Sequence, residues 1–271
     1  MSEENETGLL EEPMILSIGK YMELVVKLKF LDDAIIRSND PEEVLTFRYK
    51  ELGNRFIIPW RKVKGKLRRL VMEKQRGLEI EPKCYLKEAL CMRCPSCFLF
   101  GGTGETGEKG PYGKVSYNIL ARIMGETFIS TTEVGEIQPY TANAVDEKTL
   151  TTGQALMNIV TVPAETEFLG VITLRDPTPE MVSILVDNLK RLSRLGARSV
   201  EWGRAKTEIF GYRLSDREEL SAYELVEKEE EGIKQELIGI ETLKLPKVEE
   251  AYRDLDIQVK KLLKEKEFTK K

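Results

Sequence analysis

A basic helix that follows a proline is the feature that most constrains how this chain can fold. The apolar pair Ile57-Ile58 is typical of the end of a strand, and Pro59 separates that strand from a segment with helical spacing. One side of this helix must face a core, because its apolar residues recur at helical intervals. A strand that leads into such a helix indicates a β-to-α crossing, the first half of a split βαβ unit. The apolar stripe is formed by Val63, Leu67, Leu70 and Val71.

The other sides of this helix carry positive charge, and Glu73 is the only acid before Arg76. The free N–H groups at the start of a helix also attract anions. Gly65 lies within the basic face although a glycine costs a helix roughly 1 kcal/mol relative to alanine, so we expect another backbone to approach there. The alternative is a solvated cationic surface. The cations are Arg61, Lys62, Lys64, Lys66, Arg68 and Arg69.

Length and composition indicate a globular protein. A chain of 271 residues, 41% of them hydrophobic, can bury a substantial core. Its net charge of −4 does not indicate a nucleic-acid binder, but the positive charge concentrates in residues 61–76 and 190–213. Charged residues make up 32% of the chain, and Lys, Arg and Glu dominate them, as in proteins of thermophiles. With no long apolar run and an acidic N-terminus, a cytoplasmic location is expected.

Cysteine and histidine usage narrows the chemistry. The chain has no histidine, which excludes His-dependent catalytic triads and His-ligated metals. Its four cysteines crowd into fourteen positions, and their two-residue spacers let a turn present thiolates to one tetrahedral zinc ion. Such a zinc would be structural, because four thiolates leave no open position. Buried free thiols, disulfides and an iron–sulfur cluster are the alternatives, although a cytosolic setting disfavours disulfides. The cysteines are Cys84, Cys91, Cys94 and Cys97.

Alternation and capping residues place the other elements. Residues 21–30 alternate as a first strand, and 168–174 form a buried strand. Thr178 and Pro179 are typical of the start of a second helix, which Gly196 is expected to end. A glycine-bounded loop follows, and its cations together with the start of the next strand form a second basic segment. These cations are Arg198, Arg204 and Lys206.

Three segments together resemble the repeat-associated mysterious protein (RAMP) superfamily of CRISPR effector proteins. Ile58-Pro59 followed by Lys64-Gly65-Lys66-Leu67-Arg68 resembles its Ile-Pro…Leu-Lys-Gly…Arg motif. The segment Cys94-Pro-Ser-Cys97-Phe-Leu-Phe-Gly101 is similar to its cysteine-and-Phe-Gly segment, and 196–203 looks like its glycine-rich loop. In arrangement and length the chain most resembles the type I-D backbone subunit, which coats the guide RNA.

The resemblance implies an α+β fold with an RRM-like (ferredoxin-like, split βαβ) core. The core would comprise residues 14–76 and 114–213, with 125–167 inserted as a lid or hairpin. Residues 77–113 would form a zinc-binding insertion. Residues 214–271 would form a charged helical extension.

The function implied is that of a non-catalytic RNA-binding subunit of an antiviral CRISPR ribonucleoprotein. The cations of the first helix, with Gly65, Arg198, Arg204 and Lys206, would contact guide-RNA phosphates without reading bases. Copies of the chain and other effector subunits would be its partners, with no membrane involved. One alternative is an endoribonuclease, because type III relatives place a catalytic aspartate after the first strand, where Asp32 and Asp33 lie. Another is a DNA-binding module, which a face of only Lys and Arg disfavours.

Overall fold

A central antiparallel sheet organises the structure, a computed structural model that describes residues 8–37, 45–104, 112, 115, 117–137, 140–145, 148 and 152–265. The strands are β1 (Tyr21–Phe30), β2 (Thr46–Tyr49), β3 (Gly53–Ile58), β4 (Ile123–Gly125), β5 (Phe128–Glu133), β6 (Tyr140–Val145), β7 (Thr152–Ile159), β8 (Glu167–Arg175) and β9 (Ala205–Ser215). The helices are α1 (Trp60–Gly77), α2 (Pro95–Phe100), α3 (Pro179–Lys190), α4 (Ala222–Leu225), α5 (Glu230–Gln235) and α6 (Val248–Glu265).

The sheet has the order β2-β3-β5-β8-β1-β9, and β4 also pairs with β8. All of its strand pairs are antiparallel. The predicted first strand is confirmed with its bounds, and alternate residues of β1 contribute to two different clusters of buried side chains. β6 and β7 form a separate antiparallel pair. A mixed α/β fold built on an antiparallel sheet is therefore confirmed.

One face of the sheet packs against α1, α3 and α6. The predicted stripe of α1 is buried with the apolar residues of α3 and with Leu24, Val26 and Leu28 of β1. The start of α3 is confirmed, since the Thr178 hydroxyl accepts the Met181 N–H at 3.4 Å. The helix ends at Lys190, earlier than predicted. Residues 193–195 leave the helix because their backbone pairs with residues 203–205 instead.

Two segments lie in the sheet or core rather than apart from it. β5 belongs to the stretch predicted as a lid, yet it lies between β3 and β8 in the main sheet. The predicted charged extension is also part of the core, because the stripe of α6 needs an apolar surface to cover it. Tyr252, Leu255 and Val259 are fully buried there. Residues 105–111 and 113 of the predicted zinc-binding insertion, and 138–139, 146–147 and 149–151 of the predicted lid, lie outside the described residues.

Residues 218–237 cover the opposite face of the sheet, and two carboxylates hold them there. Glu23 of β1 is fully buried and accepts the backbone N–H groups of Glu219 at 2.9 Å and Leu220 at 3.0 Å. Glu126 accepts the Ala222 N–H and the Ser221 hydroxyl. Burial raises the pKa of both carboxyl groups. We refer to residues 218–237 as the roof and to Glu23 and Glu126 as its clamp.

Replacing Glu23 with Ala is expected to detach the start of the roof, because two backbone N–H groups lose their acceptor. The free energy of unfolding in urea should fall by about 2 kcal/mol, and the Leu220 amide should exchange its hydrogen faster. Glu249→Ala, which removes an exposed carboxylate paired with Lys74 at 3.3 Å, is the control and should change neither. Equal effects of the two variants would contradict the clamp.

The same residue predicts a pH dependence of stability. Burial raises the pKa of Glu23 above its ordinary value of 4.5, so the folded state binds this proton more readily than the unfolded chain does. The resulting stabilisation is present below the unfolded pKa and declines as the pH rises through the folded pKa. This component should be missing from the pH profile of the Glu23→Ala variant.

Candidate nucleic-acid groove and metal site

The basic face of α1 and the loop after α3 border one cavity of about 350 Å³. Two basic regions more than a hundred residues apart in sequence thus meet around a single space. A third wall comes from the segment that follows β1. The lining residues are Ile35, Arg37, Arg61, Lys62, Gly65, Arg69, Leu195, Gly196 and Ala197. We call this cavity the basic groove.

Backbone hydrogen bonds place the loop beside the segment after β1. The Ala197 N–H donates to the Ile35 carbonyl at 2.9 Å, and the Gly203 N–H donates to the Asp33 carbonyl at 2.8 Å. Gly203 has φ 75°, and a Cβ at this position would lie 2.0 Å from the Leu195 carbonyl oxygen. Only glycine therefore fits where the loop closes on itself.

The groove is electropositive. Arg61 and Arg69 are exposed, and Lys62 is partly buried beside them. Burial lowers the pKa of Lys62, and the charge of Arg61 lowers it further. No acidic side chain lines the groove within the described part of the chain. Such a surface attracts anions, and a chain of phosphates is one that could follow it.

The structure separates the predicted RNA contacts. Lys64 and Arg68 do not line the groove. The guanidinium of Arg68 lies over the ring of Phe100 in α2, 6.0 Å from its centroid. Burial lowers the pKa of Lys64, and the charge of Arg68 lowers it further. Lys66 is also outside the lining. Arg198, Arg204 and Lys206 are exposed and outside it as well.

Gly65 borders open space rather than a second backbone. A Cβ added there would lie 3.8 Å from Nη1 of Arg69, an ordinary contact.

Sequence reasoning missed Arg37, because only the acidic residues of its loop were considered as functional candidates. The buried pair Ile35-Ile36 just before it was the available indication that this segment returns to the core. Nε of Arg37 is buried and has no hydrogen-bond partner among the described residues.

Both loop aspartates hold backbone segments in place. Oδ1 of Asp32 accepts the Arg204 N–H at 2.6 Å. Oδ1 of Asp33 accepts the Ala164 N–H at 3.0 Å, and its Oδ2 accepts the Thr161 hydroxyl at 3.1 Å. These contacts join the segment after β1 to the loops before β8 and β9.

The four cysteines form one buried cluster whose Sγ atoms all lie within 4.8 Å of one another. The Sγ atom of Cys84 is 3.7 Å from that of Cys97 and 3.8 Å from that of Cys94, and all four cysteines are free thiols. Cys94 caps α2, where its sulfur accepts the Cys97 N–H at 3.5 Å. Burial raises the pKa of the Cys94 thiol, so its thiolate needs a nearby cation. The four sulfur atoms are close enough together that the cluster could hold one metal ion.

Charged residues join the cysteine segment to α6. Glu81 forms ion pairs with Arg93 at 2.9 Å and with Lys260 at 3.1 Å, and Lys260 also pairs with Asp256 at 2.8 Å. The cysteine cluster therefore lies between α1 and the last helix.

Within the described residues, every helix is too short or too polar to cross a membrane.

Comparison with protein-family models assigns the chain to a family. A family model described as "Csc2 Crispr" matches residues 19–270. The chain belongs to the Csc2 CRISPR family. The match covers the basic groove, the cysteine cluster and the roof together. No curated protein matches the chain.

Solved structures share the fold of this Csc2 family member. The crystal structure of Thermofilum pendens Csc2 is similar with a TM-score of 0.60 and 20% identity, over 94% of this chain and 92% of that one. A chain of a type IV-B CRISPR complex is similar with a TM-score of 0.52 and 15% identity, over 69% of this chain and 90% of that one. At 20% and 15% identity, these two similarities show a shared fold.

Proposed function

We propose that the chain is the backbone subunit of a type I-D CRISPR effector complex, where it coats guide RNA. The basic groove is the observation that carries the proposal. Arg37, Arg61, Lys62 and Arg69 surround a space beside the glycine-bounded loop, and the described residues that line the groove include no base-reading amide or acid. Cations of this kind contact phosphates, which carry no sequence information. Family membership and the fold shared with a chain of a CRISPR complex support it. Other effector subunits and further copies of the chain are the proposed partners.

We also propose that the core is RRM-like, that is, ferredoxin-like. Four strands of the sheet follow the order β9-β1-β8-β5. The connection from β1 to β5 contains α1, and β8 lies between these two strands in the sheet. The connection from β8 to β9 contains α3, and β1 lies between those two strands. Two split βαβ units with helices against one face of the sheet describe that arrangement.

The subunit is proposed to be non-catalytic. A nuclease would need Asp32 or Asp33 free to orient a hydroxyl or bind a metal ion. Asp32 instead accepts the Arg204 N–H, and both carboxylate oxygens of Asp33 are hydrogen-bonded. These contacts give both residues a structural role.

The metal is proposed to be one structural zinc ion. Zinc–thiolate bonds of about 2.3 Å in a tetrahedron separate the sulfurs by about 3.8 Å. The separations of 3.7 and 3.8 Å fit this geometry. A disulfide would need about 2.05 Å, and the several atoms of an iron–sulfur cluster need sulfurs further apart. When bound, zinc would supply cross-links between α2 and the turn before it.

The chain is expected to contain about one zinc ion per molecule by elemental analysis. Cys94→Ser should lose the zinc and expose residues 84–101 to proteolysis, while the sheet stays folded, because the ligands lie outside the strands. Ser96→Ala changes a buried residue of the same helix that is not a ligand, and it should retain the metal. A parent chain without zinc would contradict this proposal.

Arg61→Ala is expected to weaken binding to single-stranded RNA of any sequence. One lost phosphate contact should reduce the slope of log affinity against log salt by about 0.7. Fluorescence anisotropy at several salt concentrations measures this slope. Arg217→Ala, at an exposed arginine outside the groove, is the charge-matched control and should leave the slope unchanged.

Gly65→Leu tests the groove itself, because it adds bulk without changing charge and favours the helix. The leucine side chain would enter the space bordered by Arg61 and Arg69. RNA affinity should fall while thermal stability does not. An affinity equal to that of the parent would show that RNA does not occupy the groove.

Radiolabelled RNA is expected to remain intact after long incubation with the protein and magnesium, since both loop aspartates are engaged in backbone contacts. Gel analysis measures this directly. Cleavage products that disappear in Asp32→Ala but persist in the control Asp216→Ala would establish the nuclease function instead.

A further inference from the structure

We propose that Arg68 serves the cysteine cluster, as the positioning residue that balances the charge of its metal-bound thiolates, and that it is not an RNA contact. This inference rests on the metal site proposed above. It departs from the sequence interpretation, which grouped Arg68 with the phosphate-binding cations because it shares the basic helix with them.

The position of Arg68 points toward α2. Its guanidinium lies over the ring of Phe100, three residues after Cys97, and residues three apart share one side of a helix. Nε and Nη2 of Arg68 are both buried and lack a hydrogen-bond partner within the described part of the chain. Buried guanidinium donors without an acceptor are costly, so a nearby group that accepts hydrogen bonds would stabilise them.

A metal-thiolate cluster is such a group. Four thiolates around a divalent cation carry a net charge of about −2, and thiolate sulfur accepts hydrogen bonds. In the metal-bound state, the guanidinium charge of Arg68 would offset part of the cluster charge.

A second contact lies on the same side of α1. Oε1 of the buried Gln75 accepts the Ser96 N–H at 3.1 Å, and Gln75 is seven residues, about two turns, after Arg68. Lys62 and Arg69, which also line the groove, lie roughly 100–120° around the helix from Arg68. The helix α1 therefore presents one set of side chains to the groove and another to the cysteine cluster.

The experiment compares Arg68→Gln with Arg61→Gln, which removes the same charge from the same helix. Zinc affinity is measured by competition with a chromophoric chelator, and the salt slope is measured with single-stranded RNA. Arg68→Gln should bind zinc 10–100-fold more weakly and keep the parent's salt slope. Arg61→Gln should keep the zinc affinity and flatten the slope. Arg68→Lys restores the charge without the two buried donors, so its zinc affinity should lie between those of Arg68→Gln and the parent.

The two proposals fail separately. Parent-like zinc affinity in Arg68→Gln, or a slope flattened as in Arg61→Gln, overturns the role of Arg68. If Arg68→Gln does not fold, parent-like zinc affinity in Arg68→Lys overturns it. A parent without zinc overturns it together with the metal site and leaves the RNA proposal intact. A zinc-loaded parent that binds no RNA overturns the RNA proposal alone, and weakened zinc binding by Arg68→Gln then still supports the role of Arg68.

Discussion

The burial of β1 on both faces is the constraint on which the rest of the structure depends. Its apolar residues pack under α1, α3 and α6 on one side, while Val25 and Glu23 contact the roof on the other. β1 also pairs with β8 along one edge and with β9 along the other, so the position of its C-terminal end is fixed by backbone pairing as well as by packing. The segment that leaves this end carries Arg37 to the basic groove. Both the groove and the aspartates beside it take their positions from this strand.

The groove and the cysteine cluster are built on one helix, α1. Its apolar stripe is committed to the core, which leaves two remaining sides for charged residues. One borders the loop after α3 and the other borders α2. Any rotation or shift of α1 would therefore alter both the groove and the cysteine cluster.

Local patterns predicted much of the fold, because alternation, proline and capping residues act over a few positions. β1, the stripe of α1 and the start of α3 follow from the sequence for this reason. The early end of α3 does not, because the backbone pairing of residues 193–195 with 203–205 is a tertiary contact. Charge alone also could not separate Arg61 from Arg68, since their environments differ only after α2 packs against α1. The cysteine cluster was predictable because ligand spacing is local.

The roof has a consequence for how a nucleic acid can be held. In RRM domains the open sheet face is a platform on which aromatic side chains stack bases. Here the chain's own residues 218–237 occupy that face, with Phe210 packed beneath them and the backbone anchored to Glu23. Base stacking on this sheet would first require the anchor to be broken. While it holds, the chain itself covers the surface on which bases would otherwise stack.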